Sequence, residues 1–179
     1  MRRIINMFDP YEIDFDSKVI LSNCFEVLQQ ISVPDRAKVI KMWLHGWATS
    51  HRIKGDYLHN CLLGCTDGVD SLGHYLLCPR VFGAASFLLP GTSADPLVRC
   101  GLCSTSVQSL HLVACTFSAY HATKHSFLKD FESHASVPTD KYWIYFAQSL
   151  SAEAAERRLT NTLFDPSMFK HFLGIDLQT

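Results

Sequence analysis

The pattern Cys61-x3-Cys65-x8-His74-x3-Cys78 constrains this chain more than any other feature of its sequence. Three thiols and one imidazole at these separations are the donor set that closes a tetrahedron around zinc. Gly64 permits a tight turn between Cys61 and Cys65, so both sulfurs can converge. His74 and Cys78 are four residues apart and face the same way on a helical turn. Pro79 stops that turn, and Asp67-Gly68 supplies the loop between the halves. A closed four-ligand site of this kind is structural and implies no redox chemistry. Zinc binding by small zinc peptides releases on the order of 10 kcal/mol, enough to order such a loop.

The surroundings need that help. From about 51 to 106 hydrophobic periodicity is lost, and the chain is punctuated from Gly55 and Gly64 to Pro96 and Gly101. A stretch this long without periodicity is uncommon in a compact domain unless something else orders it. A short helix is expected there only near 71–78. Elsewhere the pattern is helical. Ile20, Leu21, Cys24, Phe25, Leu28 and Ile31 recur at helical spacing over 18–31, which places Cys24 on a core stripe. Pro34 and Asp35 suit the start of a second helix over about 35–50. Its apolar side carries Val39, Ile40, Trp43, Leu44 and Trp47. A long helix is expected over 106–130, with Val107, Leu110, His111, Ala114, Phe117 and His121 on one stripe. Tyr142–Phe146 is ambiguous between strand and buried helix, and a clearer helix starts at Ser151. The expected fold is mainly α: a helical domain with a zinc-ordered CCHC knuckle insert and irregular loops. It divides into an acidic N-terminal segment and helix (1–34), a basic helix plus knuckle (35–80), and a helical C-terminal region packing on the same core (81–179).

A second set, Cys100-x2-Cys103-x7-His111-x3-Cys115, matches the first on spacing alone. His111 and Cys115 fall in an apolar helix, however, where a cysteine often serves as a small hydrophobe. Cys100-Gly-Leu-Cys103 also has the form of a thiol redox pair, but the strand-then-helix context that such a pair requires is missing. His45, His51 and His59 read as surface or capping residues, and His59, two residues before Cys61, is the natural substitute ligand.

Charge narrows the function classes. Lys and Arg total 16 and Asp and Glu 17, a formal charge of −1, which argues against a polybasic coat for nucleic acid. The distribution is uneven: residues 36–80 carry six basic and three acidic groups, while both ends are acidic. Arg36, Lys38, Lys41, Arg52, Lys54 and Arg80 surround the candidate metal loop in sequence and are the candidate phosphate contacts. Trp43 or Trp47 and Tyr57 or Tyr75 are candidate base-stacking rings, with core packing as the competing role for the tryptophans. No Gly-x-Ser-x-Gly elbow, P-loop or Gly-x-Gly-x-x-Gly occurs, so no enzymatic activity is expected. No secretory leader or membrane-length apolar run is apparent, and free thiols fit a reducing compartment, nucleus or cytoplasm.

In order along the chain stand Trp43-Leu-His-Gly-Trp47-Ala-Thr-Ser-His-Arg52, then Cys61-Leu-Leu-Gly-Cys65, then His74-Tyr-Leu-Leu-Cys78-Pro79. This series resembles the zinc-binding C-terminal tail of reverse transcriptases from non-LTR (LINE-type) retrotransposons. It covers about 36–80, extending towards 130 through the long helix. The resemblance implies a module that holds RNA or single-stranded DNA near a polymerase. It does not import the polymerase, because no Tyr/Phe-x-Asp-Asp motif is present and the acids are too scattered for a two-metal site. The x8 segment is long for that family. The alternative is a zinc-stapled protein–protein interaction domain in which the basic stretch has no nucleic-acid role.

Overall fold

The computed structural model describes residues 24–53, 60–66, 68–89, 92–93, 95–102, 105–132 and 139–160. Among these the architecture is α-helical, and its only β-pairing is an isolated antiparallel bridge between Asn60 and Val69. Residues 24–28 are helical. The helices that follow are α1 (Val33–Trp43), α2 (Ser50–Ile53), α3 (Leu72–Leu77), α4 (Pro79–Leu88), α5 (Pro96–Arg99), α6 (Val107–Glu132) and α7 (Thr139–Glu156).

The scaffold is an antiparallel pair, α6 and α7, with α1 packed against α6. The start of α7 meets the end of α6, where Asp130 accepts hydrogen bonds from Lys141 Nζ (2.9 Å) and Tyr142 Oη (3.1 Å). Just beyond the other end of α7, Arg157 reaches Asp35 on α1. The α6 helix begins with a reciprocal serine cap: Ser109 N–H donates to Ser106 Oγ, and Ser106 N–H donates to Ser109 Oγ. This is a capping box with serine at the third position, satisfying two otherwise orphaned donors. Leu110, Val113, Ala114, Ala119 and Tyr120 of α6 join Trp143, Phe146, Ala147 and Leu150 of α7 in the core. One cluster of buried side chains runs from Cys24 to Ala154.

Several boundaries differ from the sequence expectation. The second helix was expected to reach about residue 50 but ends at Trp43. His45 adopts a left-handed backbone (φ 59°), its N–H donates to Met42 O, and Gly46 N–H closes back on Lys41 O. That is the Schellman termination, here with His rather than Gly in the left-handed position. Trp43 and Trp47 therefore do not share a helix face. Trp43 donates from Nε1 to Cys100 O (2.9 Å). Trp47 lies past the turn, stacked on Tyr120 with ring centroids 4.4 Å apart. Among the described residues, the segment expected to be irregular over 51–106 contains four short helices. Pro79 separates α3 from α4 by opening the second, since its missing N–H costs nothing at a helix start. The ambiguous Tyr142–Phe146 stretch lies within α7, continuous with the helix read from Ser151.

Candidate metal centre

Each of the four spaced residues reaches the site from a different local device. Cys61 leaves the Asn60–Val69 bridge, with its N–H donating to Gly68 O (2.7 Å). The chain then turns through Leu62 and Leu63, and Gly64 N–H closes on Cys61 O (3.0 Å). Gly64 takes φ +84°, a conformation that glycine adopts without strain, and this brings Cys65 round beside Cys61. His74 sits in the first turn of α3, whose N-cap Ser71 accepts the His74 N–H. Cys78 is at once the last cap of α3 and the first cap of α4.

The donor atoms of Cys61, Cys65, His74 and Cys78 lie within 4.8 Å of one another. Cys65 Sγ and Cys78 Sγ are 3.5 Å apart. Zn–S bonds of about 2.3 Å place tetrahedral thiolates about 3.8 Å apart, so the spacing suits zinc. Cys61 and Cys78 are buried, while Cys65 and His74 are half-buried. His74 Nε2 is buried without a hydrogen-bond partner. Gly68 lies flat against that ring, and a Cβ there would overlap it.

The electrostatics are those of a thiolate cluster. The Cys61 thiol is pushed down to about 4, first by Cys78 Sγ and then, against the cost of burial, by His74 and the Cys65 and Leu63 N–H groups. Cys65 is lowered to about 7, again chiefly by Cys78. The proton is left on Cys78, whose pKa rises because Cys61 and Cys65 are beside it. Proximity to the Cys61 thiolate raises the pKa of His74. Three sulfurs that share protons in this way are disposed to exchange them for a soft cation.

The second cysteine set has a different fate. Cys103 lies outside the described residues. Among the described residues, no second group of three or more His, Cys, Asp or Glu converges. Cys100 and Cys115 are fully buried in the apolar core, and burial raises the Cys115 pKa to about 12. His111 Nδ1 instead faces Asp35 Oδ2 at 3.2 Å.

The candidate phosphate contacts also divide. Arg36 donates to Ile31 O and Gln29 O, tying down the turn before α1. Lys38 lies between Asp35 and Glu153. Arg80 is paired with Asp140 at 3.4 Å and packs over the Trp143 ring. Lys41 and Arg52 are exposed. Lys54, Tyr57 and His59 lie outside the described residues, as does the side chain of His51. Trp43, Trp47 and Tyr75 are buried in the core and present no face for stacking.

Sequence reasoning missed the residue that anchors the candidate metal loop. Asp70, between Cys65 and His74, is fully buried. Its carboxylate accepts from Ser50 N–H (2.7 Å), Tyr75 Oη (2.9 Å), Tyr120 Oη (2.8 Å) and Lys124 Nζ (2.6 Å). Burial works to raise its pKa, but Lys124 and these donors overcome that, so the net shift is downward. Its partners lie as far as 54 residues away, and no local pattern in the sequence announces them. A similar node holds α7 to α1: Asp35 is paired with Arg157 through contacts of 2.7 and 3.0 Å.

No protein-family model, curated protein or solved structure matches this chain. Among the described residues no helix is long and apolar enough to cross a membrane.

Proposed function

We propose that this chain is a zinc-stapled helical module that binds RNA or single-stranded DNA, as its resemblance to the tail of LINE-type reverse transcriptases implies. The observation that carries the reading is the convergence of Cys61, Cys65, His74 and Cys78 to within 4.8 Å. The metal would act as a structural staple: four protein donors leave no open position for a substrate or an activated water. Support for the nucleic-acid half comes from the motif order around the knuckle and from exposed Lys41 and Arg52. With Arg36, Lys38 and Arg80 occupied inside the fold, few phosphate contacts remain and binding is weak, positional and salt-sensitive. Titration of the zinc-loaded chain with single-stranded oligonucleotides at several salt concentrations tests this reading. Binding that weakens with salt, and weakens further in Arg52→Ala, supports it. No binding at low salt ends it.

A second reading, a zinc-stapled protein-interaction domain, is favoured by one observation. Val33 and Ile40 of α1 and its C-cap Leu44 fall along a single face and are exposed by 71%, 38% and 53%. In that case Arg52→Ala leaves partner capture unchanged, and the captured complex survives nuclease.

A further inference from the structure

Asp70 and Tyr75 connect the candidate metal loop to the helical scaffold in a way that a simple staple does not need. Tyr75 lies on α3, one residue after His74. Its hydroxyl has a single proton, which it donates to Asp70 Oδ1. That fixes the hydroxyl's orientation and leaves its oxygen to accept the Leu62 N–H at 3.1 Å. Leu62 follows Cys61 in the turn that returns the chain to Cys65. Asp70 is also held by two residues of α6, Tyr120 at the same oxygen and Lys124 at Oδ2. A continuous chain of buried hydrogen bonds thus runs from α6 through Asp70 and Tyr75 to the backbone between the first two ligands.

We infer that Asp70 and Tyr75 are positioning residues for the metal centre, setting the Cys61–Cys65 turn before metal arrives so that metal affinity depends on the anchorage of α6. This rests on the metal reading above. A ligand pair held in place loses less freedom on binding, and removing outer partners of this kind typically weakens metal affinity 10–100-fold. Tyr120 supplies an internal control. It donates the same type of hydrogen bond to the same Asp70 oxygen, but no described hydrogen bond links it to the turn between Cys61 and Cys65.

The test is a competition titration of the full chain with zinc and a chromophoric chelator, comparing Tyr75→Phe with Tyr120→Phe. Tyr75→Phe loses its bonds to Asp70 and the Leu62 N–H, and Tyr120→Phe its bonds to Asp70 and Ala48 O, so both urea midpoints should fall. The relay requires that Tyr75→Phe weaken zinc binding 10–100-fold while Tyr120→Phe stays within about threefold. Equal effects, or none, overturn it. If the unaltered chain binds no zinc, the metal reading fails first and takes the relay with it. If Tyr75→Phe does not fold, amide exchange on the unaltered, metal-stripped chain decides. A Leu62 N–H protected as well as the α6 amides upholds the relay, and one that exchanges freely sinks it.

Discussion

Two Cys/His sets of nearly the same spacing end in different chemistry. Cys61, Cys65, His74 and Cys78 bring their donors together, whereas Cys100 and Cys115 are absorbed into a helical core and His111 faces Asp35. Both sets close in His-x3-Cys, so that spacing cannot be what separates them. The difference lies in where the last pair sits. His74 and Cys78 occupy the first turn and the cap of a six-residue helix, where the backbone changes direction and side chains can point to a common centre. His111 and Cys115 lie inside a 26-residue helix whose faces are already committed. Its neighbours claim both residues, His111 through Asp35 and Cys115 by burial. Ligand spacing counts donors, and the ends of elements decide whether donors can meet.

The largest expected effect separates the two sets directly. Cys78→Ser should abolish metal binding, while Cys115→Ser should leave one metal per chain, as measured by elemental analysis of the purified protein. A second metal, or loss of metal in Cys115→Ser, would break the contrast. Next comes the ion pair behind each set. Lys124→Met leaves the fully buried Asp70 carboxylate without its cation and should cost about 3–5 kcal/mol in urea unfolding. Arg157→Met should cost less, because Lys38 and His111 still face Asp35.

Acid should then resolve the regions in sequence. Both Asp35 and Asp70 have folded pKa values below 3.8: burial pulls upward in each, and Arg157 or Lys124 prevails. Their contribution to stability is present above the ordinary carboxylate range and is lost as pH falls through those lowered values. Protons compete with the cation for the thiolates at higher pH than this. Metal release should therefore precede loss of helical circular dichroism, with the latter below pH 3.8. A single coincident transition would unite what the comparison divides. The smallest effects involve two glycines. Gly68→Ala should weaken metal binding, because its Cβ overlaps the His74 ring. Gly83→Ala meets open space within α4 and should stabilise by about 0.5–1 kcal/mol with metal affinity unchanged.

Much of this was legible in local patterns. The long α6 stripe, the Pro34 and Asp35 start of α1, and the four converging Cys and His donors all depend on neighbours a few residues apart. What escaped depends on distance or on rarer local chemistry. A His in the left-handed position ended α1 early, where periodicity alone carried the helix on to about residue 50. The α4 helix was hidden because Pro79 and Gly83 read as breakers, although proline at a helix start breaks nothing. Asp70 looked like a polar loop residue because Tyr120 and Lys124, which justify its burial, lie 50 and 54 residues away. Charge counting placed six cations around the knuckle but could not show that Arg36, Lys38 and Arg80 face the protein's own carbonyls and carboxylates.

Cys78 closes α3 and opens α4, and this double duty has a consequence for how the sequence can drift. Between His74 and Cys78 there is no slack, since an inserted residue would rotate the thiol off the site by about 100° and swing the whole of α4 with it. After Cys65, Thr66 is exposed in a turn, so length can change there at small entropic cost. Distant relatives of this chain should therefore vary in the loop before Gly68 and keep His-x3-Cys-Pro at fixed length.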